Sequence, residues 1–168
     1  MSEKISKILF PRLVVLITTC GMDGKANVST FSFIMPISFQ PKYVAFAVVP
    51  TRYTFKNLKE VPEFVINIPN EKMLKEVWVC GTRSGRDTDK FKLAELKTEA
   101  SVKVKPLRIE KCPIQLECKV EFMREFGDHY LIVGKVLEEH VKEKEFKPIL
   151  HYSGNEFYVV GEKVSYGG

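Results

Sequence analysis

Gln115-Leu116-Glu117-Cys118-Lys119-Val120-Glu121-Phe122 alternates without a break. Leu116, Cys118, Val120 and Phe122 point one way, and Gln115, Glu117, Lys119 and Glu121 the other. A period of two marks a strand with one buried face. Downstream, Gly127-Asp128 turns the chain into a second strand, His129 to Glu138. Ile149 to Tyr152, the turn Ser153-Gly154-Asn155 and Phe157 to Val160 read as a terminal hairpin. Between the two lies a charged, solvated loop from Val141 to Lys147.

Upstream the same grammar repeats. Leu13 to Thr19 is continuously apolar and β-branched, the mark of a strand buried on both faces. The turn Gly21-Met22-Asp23-Gly24-Lys25 leads to Asn27 to Phe33, another alternating strand. Pro36 and Pro41 bracket a short irregular stretch, and Tyr43 to Val49 is a buried strand. Thr54 to Val61 is a short helix with Thr54 as its N-cap and Pro62 as its stop. Glu63 to Ile68 returns as a strand. Glu71 to Cys80 is a helix with Met73, Leu74, Val77 and Trp78 on one side. Asp87 to Leu96 is expected to be a helix capped by Asp87 or Ser84. Six or more closely spaced strands with brief helices predict a mainly β fold, a closed or nearly closed antiparallel barrel. A doubly wound βαβ arrangement is not expected.

The chain has 168 residues, so residues 1–168 are expected to form one domain. Its net charge is +5, but acids interrupt nearly every basic run. That pattern does not suit nucleic acid, which selects a clustered basic face. Cys20, Cys80, Cys112 and Cys118 lack metal-site spacing and are expected to be free thiols. No signal-like segment and no membrane span are legible, so a cytoplasmic location is expected. His129, His140 and His151 are dispersed and do not suggest a metal site, and His140 is expected at the surface. There is no P-loop, no G-x-G-x-x-G and no G-x-S-x-G.

The chemistry-bearing residues group instead around Asn27, Ser29, Thr30, Ser32, Ser38, Thr51, Arg52 and Thr54, with a second knot from Ser84 to Phe91. Hydroxyls, an amide and fixed cations around an apolar floor suit a flat, phosphate-bearing ligand. Thr51-Arg52-Tyr53-Thr54 joins a strand to a helix start, where outward N–H groups and a guanidinium favour an anion. An N-cap and a surface arginine explain that stretch equally well. Phe33 offers a face for stacking, and the strand bending at Pro36 offers backbone groups to the polar edge of a ring.

Asn27-Val28-Ser29-Thr30-Phe31-Ser32-Phe33, Pro36-Ile37-Ser38, Thr51-Arg52-Tyr53-Thr54-Phe55, Glu63-Phe64-Val65-Ile66-Asn67, the stretch Ser84 to Phe91 and Gly127-Asp128-His129 follow one another in a familiar order. Over roughly residues 10–160 the chain resembles the flavin reductase-like, FMN-binding split-barrel family, in its flavoredoxin-like and ferric reductase-like branch. The resemblance implies a homodimeric Greek-key split barrel holding FMN non-covalently. It implies that Asn27, Ser29 and Thr30 lie along the flavin and that Phe33 packs against it in place of the tryptophan common in this branch. Pro36 and Ser38 belong to the same ring end. Thr51, Arg52 and Thr54 would hold the phosphate and ribityl chain, with Lys90 and His129 completing the polar surround. The implied function is an NAD(P)H-dependent flavin or ferric reductase passing electrons to a second acceptor, such as ferric iron, free flavin or a redox partner protein. The alternative is a flavoredoxin-like electron carrier that does not oxidise NAD(P)H itself.

Overall fold

The computed structural model describes residues 3–166. A single helical turn α1 (Ile5–Ile8) precedes strands β1 (Arg12–Leu13), β2 (Val15–Cys20), β3 (Ala26–Phe31), β4 (Ile34–Phe39) and β5 (Lys42–Val48). Helix α2 (Tyr53–Glu60) leads to β6 (Glu63–Ile68). One 3-10 turn (Glu71–Met73) then runs into α3 (Leu74–Thr82), followed by the short α4 (Lys90–Leu93). The small strands β7 (Thr98–Glu99) and β8 (Arg108–Ile109) precede the long β9 (Ile114–Phe126) and β10 (His129–Val141). The hairpin β11 (Ile149–Ser153) and β12 (Glu156–Val159) completes the described chain.

Seven strands form one antiparallel sheet in the order β3-β2-β6-β9-β10-β5-β4. Its two edges, β3 and β4, are consecutive in sequence and joined only by Ser32-Phe33. A link that short draws the edges of a seven-stranded sheet together, so the sheet curls into a barrel that is split at this seam. Beyond the seam β1 pairs with the terminal hairpin β11–β12.

The barrel interior is filled by Val15, Ile17, Phe46, Leu58, Phe64, Ile66, Cys118 and Ile132. Phe46 packs edge-on against both Phe31 and Phe64, with centroids 5.1 Å away in each case. Gly134 admits the Phe64 ring: a Cβ there would lie 2.4 Å from the Phe64 Cζ. A second core lies outside the barrel wall, where Leu16 and Val28 meet Met73, Val77, Cys80, Ile109 and Cys112. Strand β2 feeds both cores, Val15 and Ile17 on one side and Leu16 on the other, which is why its sequence is buried throughout and apolar or β-branched at every position.

Four local expectations are corrected. The stretch between Pro36 and Pro41 is a strand, β4, on the sheet edge with a bulge between Pro36 and Ser38. An edge tolerates proline because no neighbour needs its missing N–H. The 3-10 turn buries Met73 and α3 buries Val77 and Cys80, while Leu74 and Trp78 are exposed. The expected helix from Asp87 to Leu96 shrinks to α4, capped by Asp89 through the Lys92 N–H. On the polar face of β9, Gln115 and Glu117 are fully buried beneath the segment carrying β7 and β8. His140 is accordingly not a free surface residue but lies 2.7 Å from the Glu117 carboxylate.

Candidate functional site

A groove of about 520 Å³ opens where the barrel seam meets the starts of α2 and α4, a size suited to a small-molecule ligand. Strand β3 supplies Ser29, Thr30 and Phe31, and the seam supplies Ser32 and Phe33. The turn after β5 supplies Thr51, Arg52, Tyr53 and Thr54. The end of α3 and the loop behind it supply Cys80, Gly81, Arg83, Ser84, Gly85 and Arg86, while Lys90 and His129 close the ring.

The electrostatics of this lining are one-sided. Arg52, Arg83 and Arg86 are permanent cations, Lys90 adds a titratable ammonium, and among the described lining residues there is no carboxylate. None of the four forms an ion pair among the described residues. Lys90 is only 3% exposed. Its Nζ donates to the Ser29 hydroxyl at 2.8 Å and to the Cys80 carbonyl at 3.2 Å. Burial, and after it the like charge of Arg52, pulls this ammonium down to about 8 from 10.5. The Cys80 thiol is pushed up to about 12, chiefly by burial, so it is no thiolate nucleophile at neutral pH.

The apolar side of the groove is equally defined. Phe33 stacks on the His129 imidazole with centroids 5.6 Å apart and planes 25° apart. The Asp128 carboxylate, 2.7 Å from His129 Nδ1, fixes that ring. Thr30 donates its hydroxyl to the Val77 carbonyl at 2.6 Å, tying β3 to α3. Helix α2 starts at Tyr53 without a side-chain cap, so its first-turn amides have no side-chain acceptor of their own.

The structure brings Ser29, Thr30, Phe33, Thr51, Arg52, Thr54, Lys90 and His129 together in this groove. Asn27 lies just behind it, 2% exposed, donating to the Thr54 hydroxyl at 3.2 Å. Thr54 is therefore not the N-cap expected from sequence; Arg52 occupies that position, and Thr54 is buried in the first turn. The Asn27 Oδ1 has no hydrogen-bond partner. Gly85 presses against it, since a Cβ there would sit 2.1 Å from Oδ1. Only glycine lets the loop lie this close to β3. Pro36 and Ser38 are outside the groove, on edge strand β4. Their proximity to Phe33 is in sequence alone, because the bulged edge strand carries them away from the seam. Arg83, Arg86 and Tyr53 were not singled out by the sequence, although two arginines flanking Ser84-Gly85 are a legible anion signal.

The family described as "Flavin reductase like domain" matches residues 6–161. An uncharacterized protein of Pyrococcus abyssi is 35% identical over 167 residues, covering 94% of this chain and 95% of that one. A flavin reductase of Pseudomonas putida is 28% identical over 145 residues, covering 86% of this chain and 81% of its own length. An FMN-binding protein of Thermus thermophilus superposes with a TM-score of 0.87 at 19% identity, covering 96% of this chain and 93% of that one. The last shares the split-barrel fold.

Proposed function

We propose that this chain, which belongs to the flavin reductase like domain family, holds FMN in the groove at its barrel seam and passes electrons from NAD(P)H to a second acceptor. The observation that carries the reading is the lining itself: three arginines, a lysine and no carboxylate among the described lining residues, beside a row of hydroxyls and an aromatic wall. That donor set fits a flat ring bearing a phosphate monoester. The similarity to an FMN-binding protein and to a flavin reductase supports the same ligand class.

Arg52 and Thr51, at the start of α2, would hold the phosphate, Arg52 through its guanidinium donors. Ser29 and Lys90 present a hydroxyl and an ammonium to the polar edge of the ring. Phe33, braced by His129, forms the wall against which the ring lies. The chemistry a bound flavin supplies is acceptance of a hydride from the nicotinamide and onward transfer of its electrons. The protein's own part is placement and a positive field around the site.

The reading includes a homodimer. Next to the groove, and sharing its Phe33 wall, lies a nearly apolar hollow of about 410 Å³ lined by Ile5, Leu9, Ile34, Met35, Ala45 and Leu131. Met35 is 56% exposed and Phe39 93%, more apolar surface than an edge strand keeps in water. A Met35→Glu substitution is expected to yield a monomer by sedimentation.

The test begins with the purified protein, whose released cofactor is expected to be FMN by chromatography. Anaerobic addition of NADH or NADPH is then expected to bleach the oxidised flavin band. A loaded protein bleached by neither is an electron carrier and not a reductase.

A further inference from the structure

The groove holds more positive charge than one phosphate monoester neutralises. Such a group carries about −1.5 to −2 at pH 7. Arg52 and Lys90 alone match it, and Arg83 and Arg86 remain on the lining. Outside the lining, two further cations converge on the same point. Lys56 Nζ lies 5.5 Å, Lys25 Nζ 5.6 Å and the Arg86 guanidinium 5.9 Å from the centroid of the Tyr53 ring. Lys25 and Arg86 have no ion-pair partner among the described residues, and Lys56 has only Glu60 at 3.6 Å. Three cations drawn to one half-buried ring repel one another, and the ring's quadrupole compensates only about 0.5–1 kcal/mol for each at an exposed site. An aromatic face ringed by three cations, two of them unpaired among the described residues, is the complement of a nucleoside whose base is aromatic and whose ribose carries a phosphate.

We propose that Tyr53, Lys25, Lys56 and Arg86 form a second anion site at the mouth of the groove. It takes the adenosine 2′-phosphate of NADPH and makes this chain select NADPH over NADH. The inference rests on the flavin reading above and adds the identity of the donor. Position supports it. Tyr53 lines the groove, whereas Lys25 and Lys56 stand outside it, so a dinucleotide entering over the bound ring leaves its far phosphate at the rim. The pyrophosphate is common to both nicotinamides and gives no discrimination, so only the 2′-phosphate is selected here.

The test uses the FMN-loaded protein and a calorimetric titration with 2′,5′-ADP and with 5′-AMP, which differ by that one phosphate. 2′,5′-ADP is expected to bind at least about tenfold more tightly, as one charge-assisted contact allows. In Lys25→Gln/Lys56→Gln the preference is expected to disappear while FMN affinity stays as it was. Both lysines are exposed, so the variant folds, and the two single variants are expected to lose part of the preference each. Equal binding of the two nucleotides, or a preference that survives in the double variant, overturns the inference and leaves the flavin reading intact. A protein that retains no flavin overturns both.

Discussion

Two charged side chains are buried in this small barrel, and they are buried on opposite terms. Glu117, fully inaccessible on β9, is surrounded by donors. The Val102 N–H reaches both its oxygens at 2.9 and 3.0 Å, the Lys103 N–H reaches one at 2.6 Å, and His140 and Arg108 approach at 2.7 and 3.6 Å. Lys90, 3% exposed beside the groove, has a hydroxyl, a carbonyl and no counter-ion, with Arg52 adding like charge. The first is a closed structural knot. The second is a half-made ion pair in a cavity large enough to admit the other half. A buried charge completed by the fold speaks of stability; one left incomplete speaks of a ligand.

The largest expected effect comes from opening the closed knot. Glu117→Ala removes the acceptor for two backbone amides of the segment covering β9, and breaking a buried charged cluster costs about 3–5 kcal/mol. For a chain of 168 residues that is roughly 6–20 °C in Tm. Burial alone pushes the Glu117 carboxyl up, but the Val102 and Lys103 amides and His140 outweigh it and hold it below the usual range. Its stabilisation is therefore complete above the ordinary carboxylate pKa and fades as pH falls through the depressed one. Denaturant melts at pH 7 and pH 3 are expected to show the penalty shrinking in acid. Flavin content per folded molecule is expected to be unchanged, and a loss of flavin without a loss of stability would break the comparison.

Lys90→Met is the converse case. A lysine pulled down to about 8 carries a folding cost that is fully present below pH 8 and is gone by about 10.5, where the unfolded side chain also loses its proton. That shift corresponds to at most about 3 kcal/mol. The flavin-free variant is expected to be more stable than the parent at pH 7, by about 1–3 kcal/mol. The gap between the two proteins narrows as pH rises from 8 to 10.5. FMN affinity is expected to fall about tenfold or more, since a charge-assisted contact is lost. Loading the parent with FMN supplies the missing anion and is expected to flatten its pH slope over the same interval.

The contrast also separates what the sequence could express from what it could not. The strict alternation from Gln115 to Phe122 and the continuous apolar and β-branched run of β2 state local burial, and the strands formed where those patterns lie. Alternation names two faces without saying what covers the polar one. Gln115 and Glu117 stand on the polar face of the pattern, yet residues 98–109, themselves without a strong pattern, fold over them. The site was legible where side chains and backbone belong to one local motif, as at Thr51-Arg52. It was obscure where two distant pieces must meet. Gly85 lies against Asn27 and Lys25 reaches Tyr53 only after the barrel closes. At β4 adjacency to Phe33 in sequence does not place Pro36 and Ser38 on the groove lining.

Ser38→Ala and Pro36→Ala are the substitutions from which the smallest effect is expected, and that smallness is informative. Both residues sit on β4, the outer edge of the seven-stranded sheet, and neither lines the groove. The bulge between them shifts the register against β5 and turns this end of the strand away from the seam. Surface substitutions of this kind lie within about 0.5 kcal/mol of neutral, so FMN affinity by fluorescence titration is expected to stay within about twofold of the parent. If either variant lost tenfold, edge strand β4 would belong to the ligand site after all. The groove would then extend across the seam to the apolar hollow beside Met35, and the incomplete half of the molecule would be larger than Lys90 and its cationic neighbours.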